Sequence, residues 1–299
     1  MARVYGNLWL DIEAEARLLG VKIENGEYTV STVQKSDDYK RLMTAVVASV
    51  LGFQSLTLTS ARELQTGAIN FSYADVQRLV RLQAPNIDFF RPQAGAMEVL
   101  NNYLAQGSTL WTRINGLSSY GADKVTQAIL DSIRAGNNAT ITAANIRKAF
   151  SIPLTDSLRI TRTVTAWSYR EANRLQYMTN PQAVSGWQWF SALEPGRTCM
   201  SCVNMHGTIH PADEVQNDHH SGLCTSLPVI VGRDAPLTQS GEEWFYSQGS
   251  EVQQSMMGKG MYAQWSAGNI NIGDMTREYQ DEVFGTMLRQ STLQELIGN

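Results

Sequence analysis

The hydrophobic and polar positions of this chain follow a helical period over most of the first 180 residues. Leu8, Ile12, Glu15, Ala16 and Leu19 keep the spacing of one face, so residues 1–20 are predicted to form a helix that Gly20 ends. Residues 21–33 alternate instead and contain Asn25-Gly26, a type I′ turn signal that predicts a small β-hairpin or an extended arm. Residues 37–58 form a longer helix whose segment LMTAVVASVLGF is apolar nearly all round, which predicts burial or pairing with another subunit. Residues 60–83 read as a further helical pair, with Ser72 as the cap of the second member. Pro85 and Pro92 break the pattern around Phe89-Phe90, an aromatic pair assigned to a core. Helices are predicted over 93–115, over 122–135 after a loop, and over 143–150 behind a Thr142 cap. Pro153 marks the next boundary. A helix then runs to about Met178, and its Arg159, Arg162, Arg170 and Arg174 read as a solvated face rather than a DNA- or portal-facing stripe.

After Asn180-Pro181 the period changes. GWQWFSAL, residues 186–193, alternates aromatic with polar and predicts a strand with Trp187 and Trp189 on one side; SLPVIVG, residues 226–232, predicts a second strand. The tail returns to short helical pieces punctuated by Gly258, Gly260 and Gly268, and its Met256, Met257, Met261, Met275 and Met287 suit adaptable packing better than a cofactor box. The fold class expected is α+β and predominantly α-helical. It comprises a helical N-terminal region over 1–152, a helix plus Cys/His metal-turn module over 153–234, and a C-terminal helical tail over 235–299 packed on the module.

Composition narrows the picture. The chain has 299 residues, 43% hydrophobic and 17% charged, with a net charge of −4 and a pI near 5.6. That balance argues against a protein whose main work is to grip nucleic acid over a wide surface. No uninterrupted apolar run reaches the roughly 18 residues of a membrane span, so no transmembrane helix is expected. Met1-Ala2-Arg3 leads into a helix-like start rather than a signal peptide. No P-loop, G-x-G-x-x-G or nucleophile elbow occurs.

The chemistry is concentrated in one window. All three cysteines (Cys199, Cys202, Cys224) and all four histidines (His206, His210, His219, His220) lie between residues 199 and 224. Cys199 and Cys202 form a C-x-x-C, whose two thiolates can grip one ion from a single turn; a His and Cys224 follow at the gap of a structural zinc site. Three thiolates and an imidazole suit tetrahedral Zn2+ and leave no open position, which points to a structural ion. Either His219 (H-x4-C) or His220 (H-x3-C) can complete the set with Cys224, and His206 is also within reach. The metal site residues are therefore Cys199, Cys202, His219, His220 and Cys224. A redox C-x-x-C would give no role to Cys224 or the histidines. A zinc deaminase needs a His upstream of the cysteines, and none exists. Asp218-His219-His220 is similar to the Asp-His of HNH-type nucleases, which makes a metal-dependent nuclease one rival and a zinc-turn nucleic-acid-binding module another. Three cysteines grouped as ligands fit a reducing compartment.

The run GWQWFSALEPGRTCMSCVNMHG, then His219-His220, Cys224 and LPVIVG, resembles the phage head morphogenesis (Mu F-like minor head protein) family. That family carries a Trp-containing strand, R-T-C-x-x-C and H-P-N-C-R-C in this order. The tail text GEEWFYSQ…VQQSMMGKGMYAQWSAGNI…LQEL extends the resemblance over residues 155–299. Two positions depart from the pattern: Gly222 stands where the first Cys of H-P-N-C-R-C would fall, and Val164 replaces the Glu of an upstream T-E pair. The resemblance implies a non-enzymatic minor head component of the virion, at the head interior or portal vertex after assembly in the host cytoplasm. Its implied partners are portal, capsid or scaffold proteins. It implies several copies per particle, contact with packaged DNA, and a part in DNA packaging or ejection.

Overall fold

The computed structural model describes residues 2–298; Met1, where the first predicted helix begins, and Asn299 lie outside the described residues. The molecule is predominantly helical with small antiparallel sheets, as the α+β expectation requires. Its helices are α1 (Ala2–Glu24), α2 (Asp37–Gln83), α3 (Ala94–Asn101), α4 (Thr109–Asn115), α5 (Leu117–Arg134) and α6 (Ala139–Thr179). Strand β1 (Val184–Phe190), helix α7 (Met200–Met205) and strands β2 (Ile209–Pro211) and β3 (Thr225–Ile230) follow. The tail comprises α8 (Gly241–Tyr246), α9 (Ser250–Met257), α10 (Lys259–Ser266), β4 (Thr276–Asp281), β5 (Gly285–Gln290) and α11 (Leu293–Ile297). Internal contacts divide the chain into two units, residues 1–63 with 103–162 and residues 64–102 with 163–299, so α2 and α6 each supply residues to both.

Several local signals act differently from their sequence reading. Gly20 does not end α1; a Cβ there would meet the Ala139 carbonyl oxygen at 2.9 Å, so the glycine permits a close backbone approach within the helix. The end comes at Asn25-Gly26, which is a helix cap and not a hairpin turn. Gly26 adopts φ +76°, its N–H donates to Ile23 O and the Glu27 N–H to Lys22 O, both at 3.0 Å, closing a Schellman motif. Residues 37–83 form one helix of 47 residues. Ser72 caps nothing: it is buried, donates to Asn173 Oδ1 at 2.7 Å and accepts from Gln176 Nε2 at 2.9 Å. Asn138, not Thr142, caps α6 by accepting from the Ile141 N–H at 2.9 Å. Pro153 lies inside α6 rather than at a boundary, and its ring fills the space where a Cβ on Gly121 would sit at 2.8 Å.

In the first unit, Ile12, Ala16 and Leu19 of α1, Leu42, Val46, Val50 and Phe53 of α2, and Ile146 and Phe150 of α6 are buried. Helix α2 contains an 18-residue window of mean hydropathy 1.6 and passes by length and composition as a membrane span, although 33% of that window is buried. The window passes because isolated Ser, Thr and Gln interrupt the apolar run without adding charge, and one such helix is weak evidence of a membrane span. Two of those polar residues are buried against protein partners: Gln54 Nε2 donates to Asn115 Oδ1 at 2.6 Å, and Thr57 Oγ1 lies 2.7 Å from Ser157 Oγ. The core helix of a water-soluble protein passes the same test.

The second unit is held by a three-stranded antiparallel sheet in the order β2-β1-β3, with Trp187 opposite His210 and Pro228. Trp187 and Trp189 lie in one buried cluster with Tyr177, Cys202 and Cys224, as their strand spacing predicts. The tail is not wholly helical. β4 and β5 form a hairpin from Thr276 opposite Gln290 to Asp281 opposite Gly285. Met257, Met261 and Met275 pack with Met200, Val203 and Phe245.

Two glycine substitutions of opposite sign test the cap. Gly26→Ala is expected to cost about 1 kcal/mol, because an L side chain enters the left-handed region. Gly52→Ala, at an open position inside α2, is expected to stabilise by about 0.5–1 kcal/mol. Urea midpoints of the two variants read both; equal shifts in the same direction would refute the assignment of Gly26 as the helix end.

Candidate metal centre

The centre is built from two short pieces of chain, the turn that opens α7 and the loop that leads into β3. Cys199 is extended (φ −80°, ψ 164°) and precedes α7, and Cys202 lies in the first turn of that helix. This turn brings the two Sγ atoms to 3.4 Å. His219 arrives from the loop before β3, and its Nε2 lies 3.3 Å from each sulfur. Cys224 immediately precedes β3; with Cys202 and Asp218 it forms a second group whose ligand atoms all lie within 4.8 Å of one another. Zn–S bonds of about 2.3 Å and Zn–N bonds of about 2.0–2.1 Å imply tetrahedral edges of about 3.8 Å between sulfurs and about 3.5 Å from sulfur to nitrogen. The three observed edges are short of these by a few tenths of an ångström. Cys199, Cys202 and His219 form one group and Cys202, Asp218 and Cys224 another, joined at Cys202, and this cluster could hold a metal ion.

The tautomer of His219 follows from its partner. Its Nδ1 lies 3.0 Å from the His220 carbonyl oxygen, which can only accept, so Nδ1 carries a proton. In the neutral ring the Nε2 lone pair then faces the sulfurs, as a metal ligand requires. The groups shift one another's protonation. Burial opposes protonation of His219, but its contact with Cys199 and the Asp218 charge push it up to about 10. Contact with the Cys202 thiol, and then with His219, pulls Cys199 down to about 4 against the effect of burial. Contacts with the Cys199 and Cys224 sulfurs push Cys202 up. At neutral pH, ion binding must displace the protons of Cys202 and His219, so the affinity falls as pH is lowered.

The loop that presents His219 and Cys224 is organised by Asp218. Its Oδ1 accepts from the His219 N–H at 2.8 Å and its Oδ2 from the Cys224 N–H at 3.2 Å. Arg170 Nη1 also donates to Oδ2 at 3.2 Å, and it reaches the Cys224 carbonyl oxygen at 3.2 Å. Both side chains of this ion pair are at most 2% exposed. Gly222 is required here: a Cβ would fall 2.1–2.5 Å from the Asp218 carboxylate atoms. Ser221 holds φ +58°, with its N–H donating to Thr163 Oγ1 at 3.1 Å.

The other histidines are engaged elsewhere. His220 turns away from the sulfurs: its Nε2 lies 2.8 Å from Asp281 Oδ2 and its Nδ1 3.4 Å from Thr163 Oγ1. It orients His219 through its carbonyl and is not brought into the cluster as a ligand. His206 is buried and accepts from the Ser191 N–H at 3.0 Å. His210 stacks on Trp187 with centroids 4.2 Å apart and contacts Thr208 and Glu214. Sequence reasoning missed Arg170 by assigning it to a solvated face. The available signal was its seven-residue spacing from Thr163 and Tyr177, both buried. Asp281 gave no signal, because the hairpin that carries it was not foreseen.

No family model, curated protein or solved structure matches this chain.

Arg170→Ala leaves the Asp218 charge buried without its partner and is expected to destabilise the protein by about 3–5 kcal/mol, read by chemical denaturation; a loss below about 1 kcal/mol would remove the pair from its organising role. Elemental analysis of the purified chain is expected to give about one metal ion per chain. Cys202→Ser and His219→Ala are expected to lose it and His220→Ala to retain it.

Proposed function

We propose that this chain is a non-catalytic assembly protein whose Cys/His cluster holds one structural zinc ion. The observation that supports it most is the convergence of Cys199, Cys202 and His219 within 3.4 Å, with Cys224 packed against the same site. Four such donors drawn onto one ion would close a tetrahedron and leave no position for water or substrate. The ion would tie α7, the loop before β3 and the start of β3 into one module.

Within that reading, the resemblance of residues 155–299 to phage head morphogenesis proteins supplies the context. The chain would be a minor head component, present in several copies at the portal vertex or head interior. It would bind portal, capsid or scaffold proteins, contact packaged DNA, and assist head assembly and DNA packaging or ejection. Support comes from the way the resembling segments converge: the Trp strand, the C-x-x-C, His219 and Cys224 all belong to one unit.

The nuclease alternative draws on Asp218-His219. Here Asp218 is buried and accepts from Arg170 and two backbone N–H groups, and His219 faces the sulfurs, so neither is free to act on a phosphodiester. The arginine-helix alternative loses Arg170 to the interior, while Arg159 pairs with Asp156 and Arg174 with Glu171.

Co-expression with a portal protein followed by size-exclusion chromatography tests the assembly role, together with a protein inventory of mature particles. The chain is expected to co-elute with the portal ring or to remain in the particles. Its absence from both would overturn the role, and metal-dependent DNA cleavage lost in His219→Ala would replace it with the nuclease.

A further inference from the structure

The structure pairs a partly exposed sulfur with a buried one at bonding approach. Cys199 and Cys202 lie on one turn with their Sγ atoms 3.4 Å apart. Cys199 is partly exposed, whereas Cys202 and Cys224 are buried. Cys224 sits with Cys202 among Trp187, Trp189 and Tyr177. An oxidant arriving from solvent therefore meets Cys199 first and finds Cys202 behind it. The two sulfurs touch directly, with the His219 Nε2 3.3 Å from each.

We propose that Cys199 and Cys202 are a two-electron oxidation site for peroxide-class oxidants, and that their disulfide ejects the zinc ion. The release half rests on the structural-zinc reading; the oxidation half does not. The sulfur of Cys199 attacks the peroxide O–O bond. One oxygen joins sulfur as a sulfenic acid and the other leaves as water after taking up a proton. The sulfur of Cys202 then attacks Cys199 Sγ. The S–S bond forms at about 2.05 Å, the S–O bond breaks, and the departing hydroxide takes up the second proton as water. Two thiols and one hydrogen peroxide become one disulfide and two waters in the metal-free chain, and two zinc-bound thiolates do the same with two protons drawn from solvent, the two electrons passing from sulfur to oxygen. The disulfide removes two of four ligands at once. His219 and Cys224 alone do not make a closed zinc site.

The competing product is a Cys202–Cys224 disulfide, since those sulfurs also lie within 4.8 Å of each other. It is disfavoured because Cys224 is 4% exposed and Cys202 5% exposed, so neither can take the first step from solvent.

The test uses the full zinc-loaded chain with hydrogen peroxide. A chromogenic chelator follows released zinc, and alkylation with peptide mapping follows the thiols. The expected result is a Cys199–Cys202 disulfide, a Cys224 that remains alkylatable after unfolding, and about one zinc released per disulfide formed. Reduction and added zinc are expected to restore the starting metal content. The same treatment of metal-free chain is expected to give the same disulfide. A Cys202–Cys224 product, a Cys199 driven to sulfinic acid without linkage, or thiols untouched by peroxide that oxidises glutathione would each overturn the oxidation site. A Cys199–Cys202 disulfide in a chain that never held zinc would uphold the oxidation site and overturn the release half and the zinc reading together.

Discussion

The buried ion pair between Arg170 and Asp218 is the constraint on which the Cys/His cluster depends. Burying two charges is costly, and the pair is favourable only if the remaining hydrogen-bonding capacity is used. Here the capacity of Asp218 is used: two backbone N–H groups and a guanidinium converge on one carboxylate. The consequence is geometric rather than energetic. One carboxylate fixes the N–H of His219 and the N–H of Cys224, and so sets the distance between two ligands five residues apart. An apolar pair of the same volume could fill the space as stably, but it could not hold both ends of that loop. The cost is visible in Gly222, whose missing side chain leaves room for the carboxylate, and in Arg170 Nε, which has no partner among the described residues.

A second layer passes the constraint outward. The His220 carbonyl sets the His219 tautomer, and the His220 ring is itself held by Asp281 at the end of β4. Asp281 also accepts from the Val283 and Phe284 N–H groups of the hairpin turn. The orientation of the His219 ring in the Cys/His cluster is thus tied to a hairpin some sixty residues further along the chain. Such partners raise ligand basicity and lock ring orientation, and they commonly matter as much as the ligands. The two adjacent histidines, equivalent on spacing alone, are separated by this arrangement into one that faces the sulfurs and one that supports it.

The legible part of the sequence was the part with local chemistry. C-x-x-C, a histidine and a third cysteine define a site because thiolates at that spacing reach one point from a single turn, and the cluster forms accordingly. The strand of Trp187 and Trp189 was readable because alternation has only one structural meaning. The misread positions share a different property: each carries a local signal overridden by tertiary contacts. Asn25-Gly26 needs a positive φ in a hairpin and equally in a helix cap, and only the helix of residues 2–24 decides which. Ser72 resembles a cap, but a long helix can bury a serine if other helices supply partners, here Asn173 and Gln176 of α6. Pro153 ends helices when its ring meets a preceding carbonyl without compensation, yet the side-chain-free face of Gly121 gives that ring a place. Arg170 looked solvated because charge alone says nothing about a partner 48 residues away.

The polar content of α6 links these errors to the architecture. Ser72, Asn173, Gln176, Tyr177 and Ser226 are buried and joined by hydrogen bonds: Asn173 Nδ2 to Ser226 Oγ at 3.2 Å, Tyr177 Oη with Ser226 Oγ at 3.1 Å, and Gln176 Nε2 to Ser72 Oγ at 2.9 Å. Asn180, just beyond the helix, clamps the Phe90 backbone from both sides. A purely apolar helix could slide by a turn against its neighbours with little penalty, whereas each misplaced polar group in this network would be left buried and unpaired. The network therefore fixes the register of α6 against α2 and β3 within the second unit. Since Arg170 rides on the same helix, that register also decides where its guanidinium meets Asp218. The position of His219 and Cys224 is in this way set twice, once by the carboxylate that binds their backbone and once by the helix that positions its counter-ion.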